Sequence, residues 1–351
     1  MIRSLAKRAT YLGLRCSGIN ALGRALRAKK LLVVTYHGVL REGHAGDRFG
    51  YENTVGTDEF DRHLGFLRRK FQPVALGDLL AWARGERELP PRAAFVTFDD
   101  GYRNNLTHAA PLLAKHGVPA TVFVSTAYIG GTRILWPTEL VERIVAWPLK
   151  EVESPGERGP LPVPAGLEAR RALAKRIVRE AKRQPSRKAA EYMEYLRSHS
   201  RLDPGLAADD LHAFLTWDEV RRLAGMGVDI GSHGVAHSIL SRLSPEDLLQ
   251  ELRESKSRIE GELDTECASL AFPNGTAADW SAEVLEGARR CGYRLGFAVT
   301  NDFHPHAGNP MAIGRFVLPG HVPQEVFEAI ASGSLLSLNH LLGRRPEGTG
   351  A

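Results

Sequence analysis

Cysteine is scarce in this chain of 351 residues: Cys16, Cys267 and Cys291 are the only three. An odd, sparse set without metal-ligand spacing argues against a disulfide framework and against a thiolate-bound zinc, and fits a reducing compartment. Long apolar runs are missing as well. No stretch approaches the ~20 apolar residues that cross a bilayer. The N-terminal apolar segment is broken by Arg15, Gly18, Asn20 and Arg24, which leaves no signal-peptide core followed by a cleavage site. Low-complexity tracts are absent. No Gly-x-Gly-x-x-Gly follows the first strand-like run and no phosphate loop occurs, so neither a dinucleotide nor a P-loop nucleotide is an expected ligand. What remains is an ordinary soluble composition, 43% hydrophobic and 25% charged, long enough for one large core or two modest ones.

The net charge of +5 is unevenly spread. Eight of the 46 Lys and Arg lie in residues 1–30 with no acid among them, leaving 38 against 41 acidic residues elsewhere. Residues 1–30 therefore read as a basic leader or helix. It is suited to rest on an anionic membrane surface, or else is a solvated segment packed on the domain. The expected location is the cytoplasm or the cytoplasmic face of the membrane. Residues 321–351 read as a C-terminal helix and flexible tail.

Between these ends, short β-branched runs alternate with amphipathic stretches. Strands are expected at 31–35, 93–98, 120–125, 228–231, 269–272, 294–300 and 313–318. Helices are expected at 57–71, with Thr57 as cap, and at 104–116. Two more open at the capping box Thr216–Glu219 and at Ser244-Pro245. About seven βα units without a dinucleotide fingerprint predict an α/β barrel spanning 31–320. Residues 131–210 break the rhythm with a Pro/Gly-rich stretch and a helical stretch holding ten Lys or Arg between Arg170 and Arg197. This excursion reads as a helical cap near the site whose cations form a solvated face, or else a basic patch able to meet an anionic glycan, lipid head group or nucleic acid. Without aromatic interleaving it gives no reason to expect nucleic acid.

The chemistry-bearing residues fall at strand ends. Thr97-Phe98-Asp99-Asp100-Gly101 puts two carboxylates side by side, one able to bind a cation while the other handles a proton. Asp-Gly alone is also ordinary turn chemistry. Ser232-His233-x-x-x-His237 follows another strand, and two histidines four apart on a helical turn converge on one ion. Tyr36-His37 and Phe272-Pro273-Asn274-Gly275 close two further strands. In a parallel barrel these ends share one face, so four polar groups should meet there. Two imidazoles and one carboxylate would hold a single divalent metal, zinc first, with cobalt, nickel, iron or manganese compatible.

The Thr-Phe-Asp-Asp-Gly block, Tyr102-Arg103-Asn104-Asn105, the run from Gly117 to Val124, and Gly231-Ser232-His233-x-x-x-His237 resemble the polysaccharide deacetylases, carbohydrate esterases related to the rhizobial chitooligosaccharide deacetylase. The style is closest to the poly-N-acetylglucosamine deacetylases. The resemblance spans roughly Leu32 to Leu318 apart from the excursion and implies a distorted (β/α)7 barrel. By position it implies Asp99 as general base, Asp100, His233 and His237 as metal ligands, and the Asn274 N–H as oxyanion donor. The family's usual Arg-x-Pro-Tyr is replaced here by Ala271-Phe272-Pro273-Asn274, and Arg315 is the candidate to orient the base instead. The usual C-terminal acid histidine has no counterpart. His304, His306 and His321 lie outside that setting, and His37 takes the acid role, with a buried structural histidine as its alternative. Trp136 could stack on a sugar or simply pack. The implied function is metal-dependent removal of acetyl groups from N-acetylhexosamine units of a glycan or glycolipid. The competing readings are the same chemistry on another amide or an O-acetyl ester, and an inactive glycan-binding module.

Overall fold

The computed structural model describes residues 11, 13, 14, 17–41, 53–156 and 159–336. Most of the expected basic leader before residue 17, and the expected tail from 337 onward, lie outside the described residues. Seven strands form the frame: β1 (Lys30–Tyr36), β2 (Ala93–Phe98), β3 (Ala120–Val124), β4 (Asp229–Ser232), β5 (Ser269–Ala271), β6 (Leu295–Val299) and β7 (Ile313–Val317). Each pairs in parallel with the next, and β7 pairs in parallel with β1 through Val34↔Phe316 and Thr35↔Val317. The sheet is thus a closed seven-stranded barrel, which removes its edges.

Among the described residues the helices are α1 (Ile19–Leu26), α2 (Thr57–Lys70), α3 (Leu76–Ala83), α4 (Ala110–His116), α5 (Trp136–Val145), α6 (Leu167–Arg183), α7 (Ser186–His199), α8 (Trp217–Gly225), α9 (Pro245–Leu263), α10 (Ala282–Arg290) and α11 (Gln324–Ser332). The strand expectations hold to within a residue or two. Three local ones are corrected. Thr57 is the first helical residue, and the cap position belongs to Gly56, without a side-chain bond. The expected 104–116 helix begins as a π-turn over Asn105–Ala109 before α4. His233–His237 is not helical at all, as described below.

Strand alternation decides which residues enter the barrel. Leu31 and Val33 of β1, Ala93 and Phe95 of β2, Phe123 of β3, Ala271 of β5, Leu295 and Phe297 of β6, and Ile313 of β7 pack as one interior cluster. The even-numbered neighbours Leu32, Val34, Ala94, Val96 and Val122 join the outer cluster with α2 residues such as Phe60 and Leu64. Phe95, Phe123 and Phe297 fill the middle of the barrel, with ring centroids 5.7 and 5.2 Å from Phe297. Val74, Leu76, Leu79 and Leu89 pack onto the interior cluster, so α3 and its flanks close the amino-terminal end. The Leu76 N–H donates to Asp229 at the start of β4, fixing that plug. The open end of the barrel is therefore the carboxyl end.

Between β3 and β4 the chain leaves the barrel. Helices α5, α6 and α7 build a core of their own from Leu140, Ile144, Trp147, Ile177, Val178, Met193 and Leu196, among others. A buried ionic knot ties it: Glu139 is bound by Arg143 at 2.8 Å and by Arg197 at 2.7 Å. Among the described residues no helix is long and apolar enough to cross a membrane.

Packing at β4 leaves no room for a side chain at Gly231, where a Cβ would meet the Phe123 ring at 2.5 Å and Ser269 Oγ at 2.6 Å. Gly231→Ala should cost about 2 kcal/mol by overpacking. Gly261→Ala, in open space on α9, should stabilise by about 0.5–1 kcal/mol through helix propensity. Urea midpoints of the two variants check this, and equal midpoints would discard the close approach.

Candidate active site

The odd-numbered interior series of β2 (93, 95, 97) continues to Asp99, and that of β7 continues from Ile313 to Arg315. Both side chains are therefore delivered to the barrel axis, where they meet. Arg315 is fully buried and grips Asp99 with two parallel bonds of 2.7 and 2.9 Å. Its guanidinium carbon lies 5.7 Å from the centre of the Phe123 ring. Burial would raise the Asp99 pKa, but the Arg315 charge and its hydrogen bonds, with His233 and His37 nearby, hold it at about 2.

Asp100 would face outward if the strand simply continued. Instead its backbone takes a left-handed turn, φ 75°, followed by Gly101 at φ 90°. The turn is pinned by the Gly101 N–H to Asp99 O and by the Ser125 N–H to Asp100 O. The Asp100 carboxylate lies 3.6 Å from His233 Nε2 and 3.5 Å from His237 Nε2, measured from Oδ1. Burial first, and the adjacent Asp99 charge second, push Asp100 up to about 8. The two neighbours are thus pushed in opposite directions, because Asp99 is bonded to a buried cation and Asp100 is not.

The histidine pair is held by backbone rather than by a helix. His233 Nδ1 bonds Ala271 O at 2.8 Å, which leaves Nε2 as the lone-pair nitrogen. The segment after β4 turns at Gly234 (φ 78°) and His237 (φ 55°). Glu251 of α9 accepts from the N–H groups of Val235 and Ala236, both at 2.9 Å, and clamps this turn. Trp136, half-buried at the start of α5, donates its indole N–H to His237 O at 3.1 Å. Burial lowers the pKa of both histidines, so each imidazole is neutral and available as a ligand.

Asp100, His233 and His237 form a buried group whose ligand atoms lie within 4.8 Å of one another. Ligands at about 2.1 Å around a tetrahedral ion sit about 3.4 Å apart, close to the two spacings above. Asp100 Oδ1 also has no hydrogen-bond partner despite full burial, a cost that a cation would remove. These residues fit one divalent ion.

His37 follows β1, and the Asp99 N–H bonds Tyr36 O across the ladder, so His37 and Asp99 emerge side by side. His37 is half-buried, with Nδ1 lacking a partner and its pKa lowered to about 4, chiefly by burial. The other histidines lie elsewhere. His304 pairs with Leu31 at the amino-terminal end of the barrel, and His306 O receives the Trp82 indole of α3 at that same end. The His321 side chain is 84% exposed and faces Glu59. Asn274 adopts φ 62° after β5, and its side-chain amide is taken on both sides, by Lys182 Nζ at 2.6 Å and by Asp279 at 2.5 Å.

Lys182 was hidden among the ten basic residues of the excursion. Burial lowers its pKa, against the raising influence of Asp279 and Asp100. One signal marks it in the sequence: it lies four residues after Val178, on the stripe that buries Ala174, Ile177, Val178 and Ala181. The expectation of a wholly solvated basic face is corrected at this residue.

The opposite pKa shifts give a pH signature for metal-free protein. Asp100 keeps its proton to about pH 8 when folded and to about 3.9 when unfolded. Between these values the folded state binds the extra proton, so stability falls as pH rises. His233 and His237, lowered when folded, push stability the other way over the lower part of this range, in wild type and in Asp100→Asn alike. In chelator, the wild-type Tm should therefore fall relative to that of Asp100→Asn from pH 6.5 to 8. Parallel curves would refute the assigned shift.

The family model for polysaccharide deacetylases matches residues 86–156 and 186–296, together just over half of the chain. The Bacillus subtilis protein YxkH, whose name places it in the same family, is 19% identical over 268 residues, covering 76% of this chain and 63% of that protein. The poly-beta-1,6-N-acetyl-D-glucosamine N-deacetylase of Escherichia coli is 32% identical over 90 residues, 25% of this chain and 13% of the enzyme. The chain thus spans less than two thirds of the length of these relatives. Two solved structures share the fold. One is the Streptococcus pyogenes deacetylase PplD in complex with acetate (TM-score 0.55, 16% identity, 85% of this chain and 96% of that one). The other is IcaB from Ammonifex degensii (TM-score 0.54, 16% identity, 87% and 97%). With a sequential closed seven-stranded barrel and the family match over both segments flanking the excursion's middle, the chain belongs to the polysaccharide deacetylase family.

Proposed function

We propose that this protein hydrolyses the acetamide of N-acetylhexosamine units in a polysaccharide or lipid-linked saccharide, releasing acetate. The supporting observation is the unequal treatment of two adjacent carboxylates. Asp99 is locked and ionised by Arg315, while Asp100 turns toward two imidazole nitrogens an oxygen, Oδ1, that has no hydrogen-bond partner. A divalent ion on Asp100, His233 and His237, zinc in first place, would polarise the acetamide carbonyl and acidify water. Asp99 is ionised across the neutral range and takes the proton of the attacking water. Arg315 keeps it pointed at the barrel axis, standing in for the arginine missing beside Phe272-Pro273. The Asn274 N–H, presented by its left-handed turn, serves the developing oxyanion. His37 is neutral at rest; it takes over the proton that Asp99 has accepted and delivers it to the amine nitrogen as the C–N bond breaks. Trp136 offers a ring face at the rim for the sugar.

Acetate release from N-acetylglucosamine oligomers by the metal-replete protein tests this. Asp99→Asn and His37→Ala should each lower kcat by about 10²–10⁴-fold with metal content intact. His233→Ala should lose about one equivalent of metal by elemental analysis. Activity that survives Asp99→Asn, or metal retained in His233→Ala, would sink the assignment.

A further inference from the structure

The excursion and the barrel enclose a second feature beside the metal-ligand group. A cleft of about 660 Å³, its mouth included, runs between the segment after β4 and the α6–α7 pair. It is continuous with the site: Ala236 and Ser238, which flank His237, line it, as does Trp136, and Lys182 reaches from it to Asn274. One wall is apolar, from Trp136, Met193 and Ile239.

The charges on its other walls are unbalanced. Four cations line the cleft: Arg133, Lys182, Arg197 and Arg242. The charge of Arg197 is already taken by Glu139 and by Glu194, the one acid on the lining. Among the described residues the other three have no ion pair. Lys182 holds only the neutral amide oxygen of Asn274, Arg133 lies over the Tyr128 ring, and Arg242 Nε is buried without a partner. On the solvated side of the same insertion, arginines do find acids one turn away, as in Arg176–Glu180 and Arg187–Glu191. Three cations without a direct ion pair, Lys182 offset in part by the nearby Asp279 and Asp100 charges, line a half-closed cleft whose single acid is already engaged, which raises its potential and makes it receptive to an anion.

We propose that this cleft is a subsite for a phosphate carried on or next to the sugar that presents its acetamide. The substrate is then an anionic saccharide rather than a neutral homopolymer. The apolar wall takes the sugar face or the chain beyond the phosphate, and Arg133, Lys182 and Arg242 take its oxygens in charge-assisted bonds. The subsite rests on reading the Asp100–His233–His237 group as a deacetylase centre, and it deepens that reading by naming the substrate's charge.

The test uses ligands that cannot turn over, so it is independent of the acetate assay. The metal-replete full chain is titrated calorimetrically with glucosamine and with glucosamine 1-phosphate. The phosphate should tighten binding at least tenfold, and Arg133→Gln/Arg242→Gln should bring the ratio of the two affinities close to one. The double lysine variant, Arg133→Lys/Arg242→Lys, should restore most of the ratio, and Arg133→Gln alone, at an exposed side chain, guards against a folding defect. A third ligand, with the phosphate esterified to farnesol, assigns the source: tighter binding than the free phosphate means a lipid linker, weaker binding a phosphorylated glycan. Equal affinities in the wild type, or a ratio unchanged in the double Gln variant, would overturn the subsite. Loss of acetate release with the phosphate preference intact would instead overturn the deacetylase reading alone.

Discussion

The buried pair of Asp99 and Arg315 is the constraint around which the carboxyl end of the barrel is arranged. Two carboxylates on consecutive residues in a water-poor interior repel each other and resist ionisation. A fully buried guanidinium with two short bonds settles the conflict in favour of Asp99. Burying such a pair is not a source of stability in itself, since desolvation offsets much of the attraction. Its effect is to assign states: Asp99 negative at all ordinary pH, Asp100 in need of a different partner. The histidine pair, the left-handed turn at Asp100 and the clamp from Glu251 all serve that second requirement.

Much of this was legible in the residues. Strand positions could be read because β-branched runs bounded by turn residues have few other uses, and Ala93–Phe98 was placed to the residue. The meeting of Asp99, Asp100, His233 and His237 was legible because a parallel barrel brings all its strand ends together. The errors have local causes. Spacing of four suggested a helical turn for His233–His237, but two residues with positive φ and the Glu251 clamp reach the same convergence without one. Thr57 has capping chemistry, yet it sits one position inside the helix that Gly56 begins. Arg315 was readable as a strand-end cation; that it lies within the interior layer and grips with both nitrogens depends on the register of β7 against β6 and β1, which composition does not encode.

Lys182 shows a different limit. A lysine among ten basic residues on a helical stretch is unremarkable until the docking of the excursion on the barrel is known. The excursion carries its own apolar core and its own ionic knot, so it presents a fixed surface to the site. The barrel carries the metal-ligand group and the Asp99–Arg315 pair, and the added helices carry a wall with a charge pattern of its own. On the proposed reading, reaction and selectivity fall on separately packed parts of one chain.

Closure of the barrel has a consequence for how the protein is made. Asp99 and Arg315 are 216 residues apart in sequence, and β1 must join β7 across almost the whole chain before they can meet. Contacts of such separation form late, because chain entropy has to be spent before they return anything. A partly synthesised or partly folded chain can hold the aspartate pair and the histidines yet lack the cation that divides their roles. The charge pattern of the site is therefore all-or-none with respect to ring closure, and it arrives only when the last strand docks. An incomplete chain would leave Asp99 without its counter-ion, and so would not hold the native ionisation states in part on its way to the native state.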